Sequence, residues 1–218
     1  ISGHLARRRG GDADVDALEA WSVEKGEEST VIAIVDSGVD YNHEDLSGNI
    51  LRDEAGNIVG YDFANNEPDP IDDFGHGTHV AGIAAAVTEN GIGVAGACQK
   101  CRIMPVKFID SHGMGWADAA ADSIVFAVDN GADIISNSWA MGSQSIEDAV
   151  KYAYENNVVI VAAAGNGRSK EKTYPAAYDE VIAVSNTDNQ DRKYWSTSYG
   201  SWVDVGAPGV QLLSTVLR

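Results

Sequence analysis

The sequence predicts an α/β fold, a three-layer sandwich built around a mostly parallel central sheet. With 218 residues and 44% hydrophobic content, the chain can bury one sizeable core but not two ordinary ones. Strand-like β-branched runs alternate along it with helix-like amphipathic runs. The strand-like runs are apolar almost throughout, which is typical of strands covered on both faces in a parallel sheet. Active sites of such open sheets lie beyond the carboxyl ends of the strands, so candidate groups should follow strands.

The predicted elements run through one folded domain, residues 15–218, which follows a basic and glycine-rich lead-in at residues 1–14. A short helix at 15–21 opens this domain. The last predicted helix has apolar residues at i, i+3, i+4 and i+7, and Ser145 stands where its N-cap is expected. The principal strands are expected at 31–36, 103–109, 132–139, 158–166 and 181–186, and the principal helices at 78–87, 117–131 and 145–156.

The acidic composition argues against two classes of partner. The chain has 15 basic and 33 acidic residues, a formal net charge of -18, which repels nucleic-acid phosphates and anionic membranes. No apolar run approaches the roughly 18 residues of a membrane span. The first residues also lack the charged start and apolar core of a signal peptide. We therefore expect a mature or trimmed chain with no nucleic-acid partner and no membrane partner.

The cysteines Cys98 and Cys101 have the spacing C-x-x-C and are the two cysteines of the sequence. Three states are open for them: a small disulfide loop, a pair of free thiols, or half of a zinc site. The zinc site is disfavoured because no second Cys/His pair at zinc-finger spacing follows.

Polar residues that could carry chemistry stand at three of the expected places. Asp36 ends the run VIAIVD, His76 lies in FGHGTHVAGIAAA at the entry to a helix, and Asn166 ends VVIVAAAGN. Together with VDVGAPGV at 203–210, these segments resemble the Asp, His, oxyanion and pre-serine motifs of the subtilisin superfamily, in that family's chain order. The resemblance covers about residues 12–214.

The resemblance implies a serine endopeptidase that hydrolyses peptide bonds with an Asp-His-Ser triad. A serine hydroxyl becomes a good nucleophile when a neutral imidazole takes its proton and a carboxylate orients that imidazole. His76 would be this general base and Asp36 its orienting carboxylate. Asn166 would donate its side-chain amide to the oxyanion of the tetrahedral intermediate. Proteins and peptides are the implied substrates, bound as an added strand beside a groove.

Two segments are expected, from the same resemblance, to border the primary specificity pocket. Bacterial subtilisins commonly have Ser-Leu-Gly in the first segment. Two residues here depart from that pattern, so the preferred side chain of the substrate is left unassigned. The segments are Ser138, Trp139 and Ala140, and Ala163, Ala164 and Gly165.

The resemblance also implies Ca²⁺ as a cofactor. The stretch AAVTENGIGVAG is similar to a loop that wraps a calcium ion in thermitase-like members. The same stretch contains a G-x-G-x-x-G pattern, but this pattern follows a helix and precedes a strand, which is the reverse of the order in a dinucleotide-binding site. An ordinary glycine-rich turn and a solvated acidic loop are the alternatives. The implied ligands, all hard oxygen donors, are the carbonyls of Val87, Ile92 and Val94, the side chain of Asn90 and the carboxylate of Asp45, with Asp62, Asn65, Glu67 and Asp69 as a second set.

The nucleophile of the family lies shortly beyond its A-P-G strand, and the 218 residues end at Arg218, short of that segment. In one account, an enzyme cleaved after Arg218 receives its serine from a complementary C-terminal fragment. This chain alone is then expected to be inactive, and its fold to be incomplete at the C-terminus. In the other account, a truncated or non-catalytic homologue binds peptides or calcium. The first is favoured because Asp36, His76 and Asn166 are all kept. Secretion, zymogen processing and an inhibitory propeptide are further implications of the resemblance.

Overall fold

The computed structural model describes residues 14–217, which form a seven-stranded sheet with helices on both faces. The strands lie in the order β2-β3-β1-β4-β5-β6-β7, and every neighbouring pair is parallel, as predicted. Of the predicted lead-in, residues 1–13 lie outside the described range. The strands are β1 (Val31–Asp36), β2 (Tyr61–Asp62), β3 (Arg102–Lys107), β4 (Ile134–Asn137), β5 (Val159–Ala163), β6 (Val181–Thr187) and β7 (Val205–Pro208).

The helices within the described range cover the two faces of the sheet unequally. They are α1 (Ala17–Trp21), α2 (His76–Ala85), α3 (Ala117–Asp129) and α4 (Gln144–Glu155). Alternate residues of β1 enter two different cores, because successive side chains of a strand point to opposite faces. Ala33 and Val35 pack in the larger core with α3 and α4, whereas Ile32 and Ile34 pack in the smaller core with α2. The three-layer sandwich is therefore confirmed.

Three local predictions need correction. The N-cap of α4 is Ser143, whose side chain accepts a hydrogen bond from the backbone N–H of Ile146, so the choice of Ser145 was wrong. Helix α2 begins at His76, two residues before the predicted start. The short strand β2 was not predicted, because two residues give no detectable alternation.

The C-x-x-C pair is a disulfide. The bond between Cys98 and Cys101 closes a loop against which the segment after α1 packs. The indole of Trp21 donates to Ala97 O at 2.8 Å, and the backbone N–H of Lys100 donates to Lys25 O at 3.3 Å. These contacts anchor the first described helix to the body of the domain. No helix within residues 14–217 is both long and apolar enough to cross a bilayer.

Candidate active site

The structure brings Asp36 and His76 together at the carboxyl end of β1. Nδ1 of His76 lies 2.7 Å from Oδ1 of Asp36, which also accepts the backbone N–H of Ser37 at 2.8 Å. Asp36 is fully buried, and its Oδ2 has no hydrogen-bond partner among the described residues. The side chain of His76 is 44% exposed. A neutral imidazole that donates from Nδ1 to the carboxylate keeps a lone pair on Nε2, and this nitrogen can accept a proton.

Hydrogen bonding and burial act on the basicity of His76 in opposite directions. The hydrogen bond to Asp36 is the largest influence and raises the pKa of His76, while burial of the ring lowers it. The negative charges of Asp36 and Asp72 raise this pKa further, so the net direction is upward. The imidazolium that forms after proton transfer is thereby stabilised.

Close backbone contact between α2 and the loop after β1 brings the two residues within hydrogen-bond distance. A Cβ built on Gly77 would lie 3.1 Å from Cβ of Asp36 and would collide with the carbonyl oxygen of Gly38. Gly75, the N-cap of α2, has φ of 103°, a conformation that glycine adopts without strain. Any larger side chain at position 77 would push His76 away from the carboxylate.

Asp72 supports this pair, and the sequence analysis missed it. Its carboxylate, 6% exposed, accepts five hydrogen bonds. Oδ1 accepts from Ser37 Oγ and from the N–H groups of Phe74 and Gly75, whereas Oδ2 accepts from the N–H and the hydroxyl of Thr78. Asp72 therefore joins the residue that follows Asp36 to the first turn of the helix that carries His76. An aspartate shortly before a helix start was the available signal.

A buried lysine holds the other side of the same loop. Lys107, 1% exposed, lies opposite Asp36 in the register of β1 and β3. Its Nζ is 2.7 Å from Asp73 Oδ1, 3.5 Å from Asp62 Oδ2 and 3.3 Å from Ile71 O. Because a buried ammonium requires such partners, this cation ties the segment before His76 to the sheet.

The proposed oxyanion donor stands at the same edge of the sheet. Asn166 is exposed and follows β5, which is separated from β1 by β4 alone. Two strand spacings place the end of β5 about 10 Å from the end of β1.

The two predicted groove segments lie at the carboxyl ends of β4 and β5, neighbouring strands of the sheet. Trp139 turns its indole towards the core: Nε1 donates to Val35 O at 2.9 Å, and the ring packs edge-on against Phe108 with centroids 4.9 Å apart. Only the backbone of Trp139 is therefore placed to border a groove. Ser138 is half-buried and Ala140 exposed, while Ala163, Ala164 and Gly165 range from half-buried to buried.

Comparison with known proteins identifies the family. The profile described as "Subtilase family" matches residues 27–217. The chain belongs to the subtilase family. It is 45% identical over 199 residues to the thermophilic serine proteinase of Bacillus sp. strain AK1, and 42% identical over 214 residues to thermitase of Thermoactinomyces vulgaris. These alignments cover 90% and 97% of this chain, but 48% and 74% of the two relatives.

The fold of this subtilase is also that of a solved protease structure. A protease of Pseudoalteromonas arctica superposes with a TM-score of 0.81 at 29% sequence identity. The superposition covers 90% of the present chain and 67% of the other. The α/β sandwich is therefore the family's fold.

The first predicted calcium set surrounds a buried carboxylate. Asp45 is fully buried; its Oδ1 accepts from Asn90 Nδ2 at 2.7 Å and its Oδ2 from the N–H of Val94 at 2.8 Å. No ion pair between described residues neutralises Asp45. A Cβ on Gly93 would collide with its Oδ2, so the loop wraps tightly around this oxygen. The amide of Asn90 must rotate to present its oxygen. That rotation breaks the hydrogen bond that Asn90 Oδ1 accepts from the N–H of Ile92 at 3.1 Å, and it gives a set of hard oxygen donors of the kind that Ca²⁺ prefers.

The second predicted set does not fit a calcium ion. Asp62 already accepts from the N–H and the side chain of Asn65, and the ammonium of Lys107 lies 3.5 Å from it. Asp69 accepts the hydroxyl of Tyr41 at 2.7 Å. Burial and this hydrogen bond raise the pKa of Tyr41 to about 12. Glu67 is exposed, and its contact with Asp62 is an antiparallel backbone bridge. No cluster of three or more His, Cys, Asp or Glu suited to a metal occurs within residues 14–217.

The serine hydroxyls near the site are engaged elsewhere. Ser37 Oγ donates to Asp72 and accepts the N–H of Gly77, and Ser198 Oγ accepts the N–H of Gly167. Ser214 Oγ donates to His79 O at 2.6 Å. None of the hydrogen bonds among the described residues joins a serine to His76.

Proposed function

We propose that this subtilase is a serine endopeptidase that hydrolyses protein and peptide substrates with an Asp-His-Ser triad. The observation that carries the proposal is the 2.7 Å hydrogen bond between His76 Nδ1 and Asp36 Oδ1, which leaves Nε2 directed away from the carboxylate. In this mechanism Nε2 takes the proton of a serine as the hydroxyl attacks the carbonyl carbon of the substrate. Asn166 stabilises the oxyanion, and the imidazolium then returns the proton to the leaving amine.

The nucleophilic serine is proposed to come from residues outside the 218, on a complementary C-terminal segment. The end of the described chain supports this source because it runs along α2. Thr215 Oγ1 donates to Thr78 O at 2.7 Å, and a side chain of Leu217 lies 3.5 Å from the Cβ position of Gly75. A Cβ on Gly82 would collide with the hydroxyls of Ser214 and Thr215, so the last described segment packs closely against α2 only because this position is a glycine. Residues that continue from Leu217 would thus be delivered beside His76.

The test uses the protein as isolated from its source, with any companion segment. A fluorophosphonate probe followed by denaturing mass spectrometry should label a serine that lies outside residues 1–218. If the labelled serine is on a separate fragment, the enzyme is a cleaved two-chain protein. If the labelled serine is on a longer single polypeptide, the proposed cleavage after Arg218 is refuted, but the proposed triad stands. A protein that takes no label and cleaves no peptide would be a non-catalytic homologue.

Three variants test the roles of the site residues with an internally quenched peptide. Asp36→Asn should lower kcat about 10⁴-fold because the imidazole loses its orienting acceptor. Asn166→Ala should lower kcat about 10²- to 10³-fold with little change in KM. The matched control is Asn130→Ala, which removes an amide from the C-cap of α3 and should leave kcat unchanged. Equal effects of Asn166→Ala and Asn130→Ala would exclude the oxyanion role.

We also propose one calcium ion bound by Asp45, Asn90 and the carbonyls of Val87, Ile92 and Val94. The ion would supply the positive charge that the buried carboxylate of Asp45 lacks, and would hold the loop after α2 in place. Calorimetric titration with CaCl₂ should give one site per chain. Asp45→Asn should remove it, whereas Asp53→Asn, in an exposed turn, should retain it. A second bound ion would show that Asp62 binds calcium in spite of Lys107.

Secretion is proposed from the disulfide. Bonds such as the one between Cys98 and Cys101 persist in oxidising compartments and are rare in the cytosol. An inhibitory propeptide is proposed from the family resemblance alone. Immunodetection of the protein in culture medium, against the cell fraction, tests the location.

A further inference from the structure

A strongly basic surface lies next to the oxyanion position of this acidic chain. The segments 166–172 and 190–195 hold five cations and two carboxylates, whereas the whole chain has a net charge of -18. All five cations are exposed. We call this surface the basic-aromatic patch; it comprises Arg168, Lys170, Lys172, Arg192 and Lys193 with the rings of Trp195 and Tyr199.

Backbone hydrogen bonds hold the two segments of the patch together. The N–H of Arg168 donates to Ser196 O at 3.2 Å, and the N–H of Tyr199 donates to Ser169 O at 3.0 Å. The indole of Trp202 donates to Lys170 O at 3.2 Å. The cations are therefore mounted on a common frame, although they come from separate loops.

Aromatic rings contact three of the five cations of the patch. The guanidinium of Arg168 lies 5.0 Å from the centroid of Trp195, and the ammonium of Lys193 lies 3.5 Å from that of Tyr199. Lys170 lies 5.9 Å from the same tyrosine ring. Such contacts orient a cation without neutralising its charge.

Four of the six lysine and arginine side chains elsewhere in the described chain are paired with a carboxylate; Arg52 and Lys100 are the other two. Lys25, Arg102, Lys107 and Lys151 each form an ion pair with a carboxylate. None of the ion pairs between described residues involves a cation of the basic-aromatic patch. In a chain with more than twice as many acids as bases, such a concentration of unneutralised cations selects for an anionic ligand.

The patch is continuous with the peptide groove. Arg168 is two residues from Asn166, and Ser198 ties its own segment to the specificity strand by donating its N–H to Gly165 O at 2.9 Å. Trp195, which supports Arg168, is 60% exposed. A peptide held at Asn166 for cleavage therefore passes within reach of these cations.

We propose that the basic-aromatic patch binds acidic side chains of the peptide substrate, close to the scissile bond. This inference rests on the endopeptidase function proposed above and specifies its substrate class. The guanidinium of Arg168 offers paired donors to a carboxylate, and the lysines supply a field that attracts acidic peptides into the groove. The enzyme then prefers glutamate or aspartate at one or more positions flanking the cleaved bond.

The closing experiment compares matched peptides with the catalytically complete enzyme. Internally quenched peptides carry Glu, Gln or Lys at each position flanking one fixed cleavage site. At one position at least, Glu should exceed Gln in kcat/KM by about two- to fivefold per contacting cation, the effect of an exposed ion pair. Raising NaCl from about 0.05 to about 0.5 M should reduce this preference.

Two variants locate the effect. The double variant Lys170→Gln, Lys193→Gln and the single variant Arg168→Gln should lower the Glu/Gln ratio of kcat/KM. Lys100→Gln removes an exposed cation outside the patch and should leave the ratio intact. An unchanged ratio in the patch variants, or a preference that ignores salt, would overturn the proposal.

A binding measurement separates this proposal from the proposed catalysis. Fluorescence anisotropy of labelled Glu and Gln peptides is measured with the His76→Ala protein. The proposal is supported if the Glu peptide binds more tightly than the Gln peptide and the patch variants remove this difference, even if no peptide is hydrolysed. If the His76→Ala protein binds both peptides equally while the enzyme that retains His76 hydrolyses them, the patch alone is refuted.

Discussion

Replacing Asp72 by asparagine should loosen the contact between Asp36 and His76 without touching either residue. The carboxylate of Asp72 receives three donors at Oδ1 and two at Oδ2. An asparagine in the best orientation keeps its oxygen at the Oδ1 position and retains those three. Its NH₂ group then faces the N–H and hydroxyl of Thr78, so two hydrogen bonds to a charged acceptor are lost.

The expected cost follows from these two bonds. A hydrogen bond to a charged group contributes about 1.5–3 kcal/mol, and part of the loss is recovered because the hydroxyl of Thr78 can turn to accept. Asp72 is nearly fully buried, so solvent screening does not reduce the loss. We therefore expect a decrease of about 3 kcal/mol in the free energy of unfolding, or about 6–12 °C in Tm for a domain of this size.

The variant should also change the pH profile. The negative charge of Asp72 is one of the causes that raise the pKa of His76. Because the base must be neutral, the acidic limb of kcat/KM follows this pKa. Removal of the charge should therefore move the limb to lower pH, and weaker positioning should lower kcat with little change in KM.

Calorimetry and the pH dependence of kcat/KM measure the two effects. The matched control is Asp53→Asn, another aspartate that accepts several hydrogen bonds but lies in an exposed turn. The control should produce a much smaller change in Tm and no movement of the acidic limb. Equal Tm changes in both variants, or an unmoved limb in Asp72→Asn, would refute the positioning role.

Three further predictions concern the site and its supports. Titration of His76 by NMR should give a pKa above the ordinary histidine value of 6.5. The protonated ring then adds to the free energy of unfolding; this contribution is complete below a pH of about 6.5 and is lost as the pH rises through the pKa of the folded state. A pKa below 6.5 would contradict the hydrogen bond to Asp36. Gly77→Ala should abolish activity because its Cβ displaces α2, whereas Gly56→Ala, with open space around it, should cost only about 1 kcal/mol of backbone strain; equal activities of the two variants would exclude the steric argument. Replacing Cys98 and Cys101 by serine should cost about 2 kcal/mol in urea unfolding, the small value for so short a loop, and a reductant should lower the unmodified protein to the same stability.

The fold was predictable because its pattern is local. Buried parallel strands are apolar runs, and the amphipathic helices between them have a different period, so both can be recognised from neighbouring residues. The pairing of Asp36 with His76 was predicted from the resemblance to the family's motifs, and it is compatible with the fold because strand ends and the starts of the following helices lie at one edge of a parallel sheet. Strand β2 was missed because its two residues belong to the sheet only through their pairing with β3.

The supports of the site were not predictable from spacing. Lys107 stands in the apolar run IMPVKFI, and nothing nearby in the sequence indicates that its partners are Asp62 and Asp73. The second predicted calcium set illustrates this: Lys107, from a strand distant in the sequence, lies 3.5 Å from Asp62, one carboxylate of that set, and the spacing of the set gives no sign of it. Likewise, a tryptophan in a groove segment does not indicate whether its ring faces substrate or core.

The indole of Trp139 constrains how the specificity of this enzyme can change. Its Nε1 donates to the carbonyl immediately before Asp36, and its ring packs on Phe108, whose N–H donates to Asp36 O. The predicted groove segment at Trp139 and the carboxylate of Asp36 therefore share one set of supports. Substitutions that reshape the pocket at this position will also disturb turnover, so new specificities are easier to reach by changing exposed neighbours such as Ala140. Under the proposed function, selection for substrate choice and selection for rate are coupled through the side chain of Trp139.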